Sequence, residues 1–349
     1  EKSGVELERA SAVFNALTEA HTNDTLKVLQ KELSPKFAEH ADGIHLNEKL
    51  FARIKALYDK RESLQLDPES LKLLENYYED FEVAGANLSA ADKETLKKYN
   101  SELASLETDF NQTLLEGSLA AAQTINGKKI AIVNTTQQPL LSELADRNQR
   151  KQLFEAAWNR TDGGAHNTND ILKRIALLRA KKAALLGFKN YAEWSLQRTM
   201  AKTPAAIAQF FKDLVPASVG KAKAEAKEIQ AQIAKTGGNF SLEPYDWNFY
   251  AEQVRKAKYD LDENEIKPYF ELKNVLENGV FYAATKLYGI TFKERKDIPI
   301  YHPDVLVYEL FEEDGTPLGL FYGDFFARES KRGGAWMSNF VNQSKLLGT

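Results

Sequence analysis

Cysteine is absent from the 349 residues of this chain. Its absence excludes a disulfide framework, thiolate metal ligation and a cysteine nucleophile. A basic excess is missing as well: 46 lysines and arginines face 50 acidic residues, for a formal net charge of -4. Phosphate backbones are usually met by a basic stripe, so no nucleic-acid partner is expected. The pair Lys331-Arg332 is too small to change that. No apolar run approaches the roughly 20 residues of a membrane helix, and no membrane partner is expected. The opening EKSGVELERA is charged where a secretory leader would be apolar, so the cytoplasm is the expected compartment. It also lacks an initiator methionine, which reads as processing or excision from a longer chain.

Signature motifs are scarce. There is no GxSxG elbow, no Walker A loop and no dinucleotide fingerprint. The histidines are His21, His40, His45, His166 and His302, and none lies in an HExxH pattern. His40 and His45 are five apart, a spacing that does not place two ligands on one helical turn. Capping, core or surface roles therefore outweigh a metal site. The carboxylates Glu309, Glu312, Glu313 and Asp314 read as solvated charge near a turn. No internal repeat, low-complexity tract or linker stands out.

What is present is helix after helix. Leu96, Tyr99, Leu103, Leu106, Phe110 and Leu114 recur at helical spacing, with Ser89 as N-cap. Leu46 to Tyr58 repeats the pattern, and Asp67-Pro68 opens another helix through Phe81. GKKIAIV, Gly127 to Val133, is β-branched and follows Asn126, so a short strand is expected. Further helices are expected over Gln138 to Trp158, from a cap at Thr168 or Asn169 towards Gly187, and from Thr203-Pro204. Ala222 to Ala234 reads as an exposed helix, Trp247 to Lys258 as a helix capped by Asp246, and Val275 to Tyr288 as one more. The aromatic cluster Tyr245, Trp247, Phe249 and Tyr250 suits core packing better than ligand stacking.

From Ile298 the texture becomes β-like. Val305 to Phe311 and Leu318 to Phe326 flank the turn signal Asp314-Gly315, which predicts an antiparallel hairpin. In a straight strand Phe321, Gly323, Phe325 and Ala327 share one face and Leu320, Tyr322, Asp324 and Phe326 the other. Asp324 needs a partner if buried, and Arg328 or Lys331 can supply it. Gly333-Gly334-Ala335-Trp336 has little bulk before a large ring. Its backbone is open either to an extended peptide or to a tight turn beside a core tryptophan.

The stretch YHPDVLVYELFEEDGTPLGLFYGDFFARESKRGGAW resembles the segment just before the catalytic motif of the M3 family of zinc metallopeptidases. Asp246 to Asp297 and Leu185 to Pro204 resemble the same family. Its bacterial peptidyl-dipeptidases, which remove C-terminal dipeptides, are the nearest subgroup, and oligopeptidase A is next. The resemblance implies a mainly α, neurolysin-like multi-helix fold with a small antiparallel β element near the C-terminus. Residues 1–297 would form the helical body of two channel-forming lobes, and residues 298–349 the start of a cleft-lining sheet. Gly334, Ala335 and Trp336 match the edge that contacts the substrate backbone. Asp324, Arg328, Lys331 and Arg332 match as supports of that strand.

The family's chemistry is zinc-assisted hydrolysis of short, unstructured peptides. The resemblance places HExxH and the third zinc ligand beyond Thr349, and further helices before Glu1. The expectation is thus a fragment of an active zinc enzyme that by itself binds no zinc and carries no catalytic residue. Its partners would be short peptides and the remainder of the parent peptidase, with non-native self-association through exposed apolar faces. An oligopeptidase A-like endopeptidase fragment and a naturally truncated, non-catalytic peptide-binding protein are the alternatives.

Overall fold

A computed structural model describes residues 4–260 and 263–349, except the side chains of residues 263 and 264. Leu261 and Asp262, inside the family-like stretch, lie outside the described residues. The helices are α1 (Val5–Ala20), α2 (Asp24–His45), α3 (Glu48–Tyr58), α4 (Pro68–Ala84) and α5 (Ala90–Ala120). After the strands β1 (Gln123–Ile125) and β2 (Lys128–Ile130) come α6 (Asn134–Glu143), α7 (Arg147–Trp158), α8 (Asn169–Leu185), α9 (Tyr191–Ser195) and α10 (Pro204–Lys235). Then follow α11 (Trp247–Tyr259), α12 (Glu263–Ile266), α13 (Leu272–Asn274), a π-helix (Val275–Phe281) and α14 (Tyr282–Tyr288). The strands β3 (Thr291–Glu294), β4 (Leu306–Phe311) and β5 (Pro317–Gly323) close the sequence of elements. The fold is mainly α with small antiparallel sheets, as expected. Among the described residues no helix is long and apolar enough to cross a membrane.

The chain divides into two compact units, one of residues 24–120 and 159–223, the other of residues 1–23, 121–158 and 224–349. In the first, capping follows the sequence. The Asp67 carboxylate accepts the amides of Glu69 and Ser70, and Ser89 Oγ accepts that of Asp92. Thr168 departs from expectation: its side chain does not cap α8, and Asn167 Oδ1 accepts the Asn169 amide instead. Leu103 of α5 packs with Ile175 and Leu178 of α8, while Phe51 and Phe81 join α3 to α4. Asp42, Asn100 and Lys182 link α2, α5 and α8. Lys182 donates to Asn100 at 2.8 Å and Asn100 donates to Asp42 at 2.7 Å.

In the second unit, the expected strand at GKKIAIV is β2, paired with β1 through Asn126-Gly127, both with positive φ (50° and 76°). Such a turn matches the right-handed twist of two antiparallel strands. The helices expected over Gln138 to Trp158 are α6 and α7, parted where the chain extends at Leu144 (ψ 109°). Ala222 to Ala234 is not a separate exposed helix. It continues α10, and its Ile229 and Ile233 are buried against Tyr250. The half-buried Trp247 and Phe249 join that cluster, so these aromatics pack the core.

Asp246 is not a side-chain cap of α11. Its carboxylate is fully buried and belongs to α7: Arg150 donates to it at 2.9 Å and Arg147 at 2.9–3.2 Å. Arg150 also donates to the Leu144 and Ala145 carbonyls at 2.8 and 3.0 Å and lies over the Phe249 ring. Burial pushes the Asp246 carboxyl up, but hydrogen bonds from Arg147, Arg150 and the Glu243 amide outweigh it, and its pKa is lowered. A carboxyl depressed in the folded state stabilises the fold above its ordinary titration range, and that contribution is lost as pH falls through the folded value. Asp246→Asn is expected to cost about 3–5 kcal/mol at neutral pH by stranding buried Arg150. The deficit relative to the unsubstituted chain should shrink in strong acid. Urea titrations across pH measure it, and a loss below about 1 kcal/mol would mean the pair behaves as a solvated one.

Candidate functional site

The C-terminal sheet has the order β3-β4-β5. The hairpin between β4 and β5 is present, with Gly315 at φ 84° and Asp314 Oδ1 accepting the Thr316 amide at 2.9 Å. β3 joins the far side of β4, pairing Thr291 with Phe311 and Glu294 with Tyr308. The sheet rests on the π-helix. Bonding from i to i+5 brings Leu276 and Phe281, five residues apart, to one side, where an α-helix would separate them. Phe281 stacks on Phe292 at 4.0 Å and meets Tyr308 edge-on at 4.7 Å.

β5 ends at Gly323, earlier than the expected Phe326. Phe325, Ala327, Asp324 and Phe326 therefore do not continue the two strand faces. Pairing stops there because Gly323 faces Leu306, the first residue of β4, and at Gly323 a Cβ would sit 2.5 Å from the Phe325 ring. A side chain at Gly323 would have to displace that ring, so glycine lets Phe325 pack against the end of the strand.

Just past the strand, Asp324 meets a set of donors. Arg328 grips it bidentately, both bonds 2.7 Å, and Tyr301 Oη donates at 2.9 Å. Lys331 Nζ lies 3.1 Å from the carboxylate and donates to the Asp324 carbonyl at 2.6 Å. The Asp324, Arg328 and Lys331 side chains are 10%, 9% and 10% exposed, so these charges interact with little solvent between them. Burial raises the Asp324 pKa, but the bonds from Arg328, Tyr301 and Lys331 win and bring it to about 2. Burial and the bond to Asp324 push Tyr301 up to about 12.

Residues 328–332 are then tied to the end of α1. Arg328 donates to the Ala20 carbonyl. The Thr22 amide donates to the Ser330 carbonyl at 2.8 Å and the Arg332 amide to the Glu19 carbonyl at 2.9 Å. The Ala20 and Glu19 carbonyls so occupied stand at the helix end, where carbonyls lack partners within the helix. His21 Nδ1 lies 3.0 Å from Ser330 Oγ, and the rings of His21 and His302 are 5.3 Å apart. Among the described residues no three His, Asp or Glu side chains are grouped as metal ligands.

Beyond the tie, Gly333, Gly334 and Ala335 are exposed and Trp336 is half-buried, all outside the strands. Gly334 has φ 107°, a region glycine enters without strain. Lys331 Nζ lies 5.6 Å and the Arg332 guanidinium 4.7 Å from the Trp336 ring centre. The structure thus gathers Asp324, Arg328 and Lys331 into one cluster, while Arg332 pairs with Glu19 at 2.8 Å. Tyr301 and the Glu19–Thr22 anchor carry no sequence signal of their own, since Glu19 and Arg332 lie 313 residues apart.

Asp324 supplies a pH signature. Its lowered pKa contributes roughly 2 kcal/mol of stability above pH 4, lost as pH falls towards 2. Raised Tyr301 contributes below pH 10 and is lost as pH rises towards 12. Denaturant titrations should therefore show Asp324→Asn converging with the unsubstituted chain at low pH, and Tyr301→Phe converging with it at high pH. A constant gap across pH would contradict the assignment.

The model of peptidase family M3 matches residues 140–348. The dipeptidyl carboxypeptidase of Escherichia coli K12 is 48% identical over 374 aligned positions, covering 99% of this chain and 55% of that protein. The Salmonella typhimurium dipeptidyl carboxypeptidase is 46% identical over the same shares of each. The oligopeptidase A of Escherichia coli K12 is 27% identical, covering 97% of this chain and 54% of that protein. The chain spans about half the length of these curated relatives. With the family model matched over more than half of its residues, the chain belongs to peptidase family M3.

Proposed function

We propose that this chain is part of a zinc-dependent peptidyl-dipeptidase that releases C-terminal dipeptides from short peptides in the cytoplasm. The observation that carries the reading is the identity, 48% to a dipeptidyl carboxypeptidase against 27% to an oligopeptidase A, over nearly the whole chain in both cases. The described residues do not fit a zinc ion, because no ligand trio is assembled among them. No hydrolytic step is routed through them, and the proposal includes that the chain by itself is non-catalytic.

The role proposed for this chain is to hold peptide. Gly334 and Ala335 offer exposed main chain to an extended ligand, and Trp336 offers a ring face beside it. Asp324, Arg328, Lys331 and Arg332 support that segment from behind. Apolar side chains on α10 stand exposed, with Phe210 58%, Phe211 53% and Leu214 47% accessible. The rest of the parent polypeptide is proposed to cover them, and self-association is the expected behaviour without it.

Two measurements on the purified chain test this. A fluorescein-labelled, unstructured octapeptide with a free carboxyl terminus should bind, and Trp336→Ala should weaken binding by about threefold to tenfold, as loss of one aromatic contact implies. Mass spectrometry should find no dipeptide released from the unlabelled peptide. Release that a zinc chelator abolishes would overturn the non-catalytic reading, and absence of binding would overturn the peptide-holding role.

A further inference from the structure

We propose that Glu19 and Arg332 are positioning residues that set the orientation of the Trp336 ring, an inference that rests on reading Trp336 as a peptide contact. The Arg332 guanidinium lies 4.7 Å from the centre of that ring. A guanidinium at this range is attracted to an indole face and can stack flat on it. The direction of the guanidinium is set from its other side, where Nη1 donates to Glu19 Oε1 at 2.8 Å. The main chain reinforces the pairing, since the Arg332 amide donates to the Glu19 carbonyl at 2.9 Å. Glu19 thus holds Arg332 at both its backbone and its side chain, and Arg332 faces Trp336.

Two features argue that this arrangement orients the ring and does little for the fold. Glu19 lies in the last turn of α1, where the helix dipole disfavours a negative charge and the turn itself carries no basic side chain. The pair is also open to water, Arg332 47% and Glu19 33% exposed, and ion pairs of this kind stabilise little. Lys331, the other cation near the ring, is committed elsewhere by its bonds to the Asp324 and Phe326 carbonyls and the Asp324 carboxylate. Arg332 is therefore the cation whose direction depends on Glu19.

The test uses the 349-residue chain, the same labelled octapeptide, acrylamide quenching of Trp336 emission and thermal unfolding. The Trp336 signal is isolated by difference against Trp336→Phe. Glu19→Gln and Arg332→Ala are each expected to weaken peptide binding by about threefold to tenfold and to raise Trp336 quenching, with little change in Tm. The reversed pair, Glu19→Arg with Arg332→Glu, restores the ion pair but puts a carboxylate beside the ring. It should leave binding weak and Trp336 exposed. Single substitutions that change neither quenching nor binding would overturn the proposal, and so would a reversed pair that recovers both. Should Trp336→Ala leave binding unchanged, the peptide contact falls instead, and the quenching data alone decide whether the pair orients the ring.

Discussion

The Asp324 carboxylate is the point from which the C-terminal segment hangs. It stands one residue past the end of β5 and is almost removed from water. A carboxylate in that setting carries a large desolvation cost unless its oxygens are filled. The forked guanidinium of Arg328, the hydroxyl of Tyr301 and the ammonium of Lys331 fill them. Each donor belongs to a piece of chain that must then follow. Tyr301 brings the loop before β4, and Arg328 reaches on to the Ala20 carbonyl of α1. Lys331 fixes the backbone just before Gly334, Ala335 and Trp336. Filling one carboxylate thus joins the sheet, the first helix and the segment from Gly334 to Trp336.

The helical part of the same unit uses the same chemistry. Asp246 is fully buried and is gripped by Arg147 and Arg150 of α7. In both places a planar guanidinium meets a carboxylate through more than one bond, the geometry in which arginine exceeds lysine. The Asp42, Asn100 and Lys182 chain of the other unit is a counter-example. There an amide stands between the charges, burial raises Asp42, and burial lowers Lys182. Without direct contact the attraction between the charges does not offset their desolvation, so burial disfavours the ionised form of each.

Much of the local structure was legible in sequence. Helical spacing marked α5, Asp67-Pro68 and Ser89 marked helix starts, and Asp314-Gly315 marked the hairpin. Errors arose where a side chain had a distant use. Asp246 looked like a cap because it precedes a helix, yet its carboxylate serves α7. Leu318 to Phe326 looked like one strand because alternation continues past Gly323, but the partner strand β4 begins at Leu306, opposite Gly323, which no local pattern records. The π-helix was invisible for a similar reason: Val275 to Phe281 has ordinary helical composition, and packing against the sheet selects the wider turn.

By itself the sequence determined the helical class, the C-terminal hairpin, the family and the identity of the residues bearing charge near the C-terminus. These depend on spacing, turn chemistry and residue type, all of them local. Tertiary structure alone decided which donors Asp324 receives, that Arg332 turns to Glu19, and that Gly334 to Trp336 follow a strap tied to α1. Those outcomes depend on contacts between residues up to 313 positions apart, where hydrogen-bond geometry and exclusion of water select the partner.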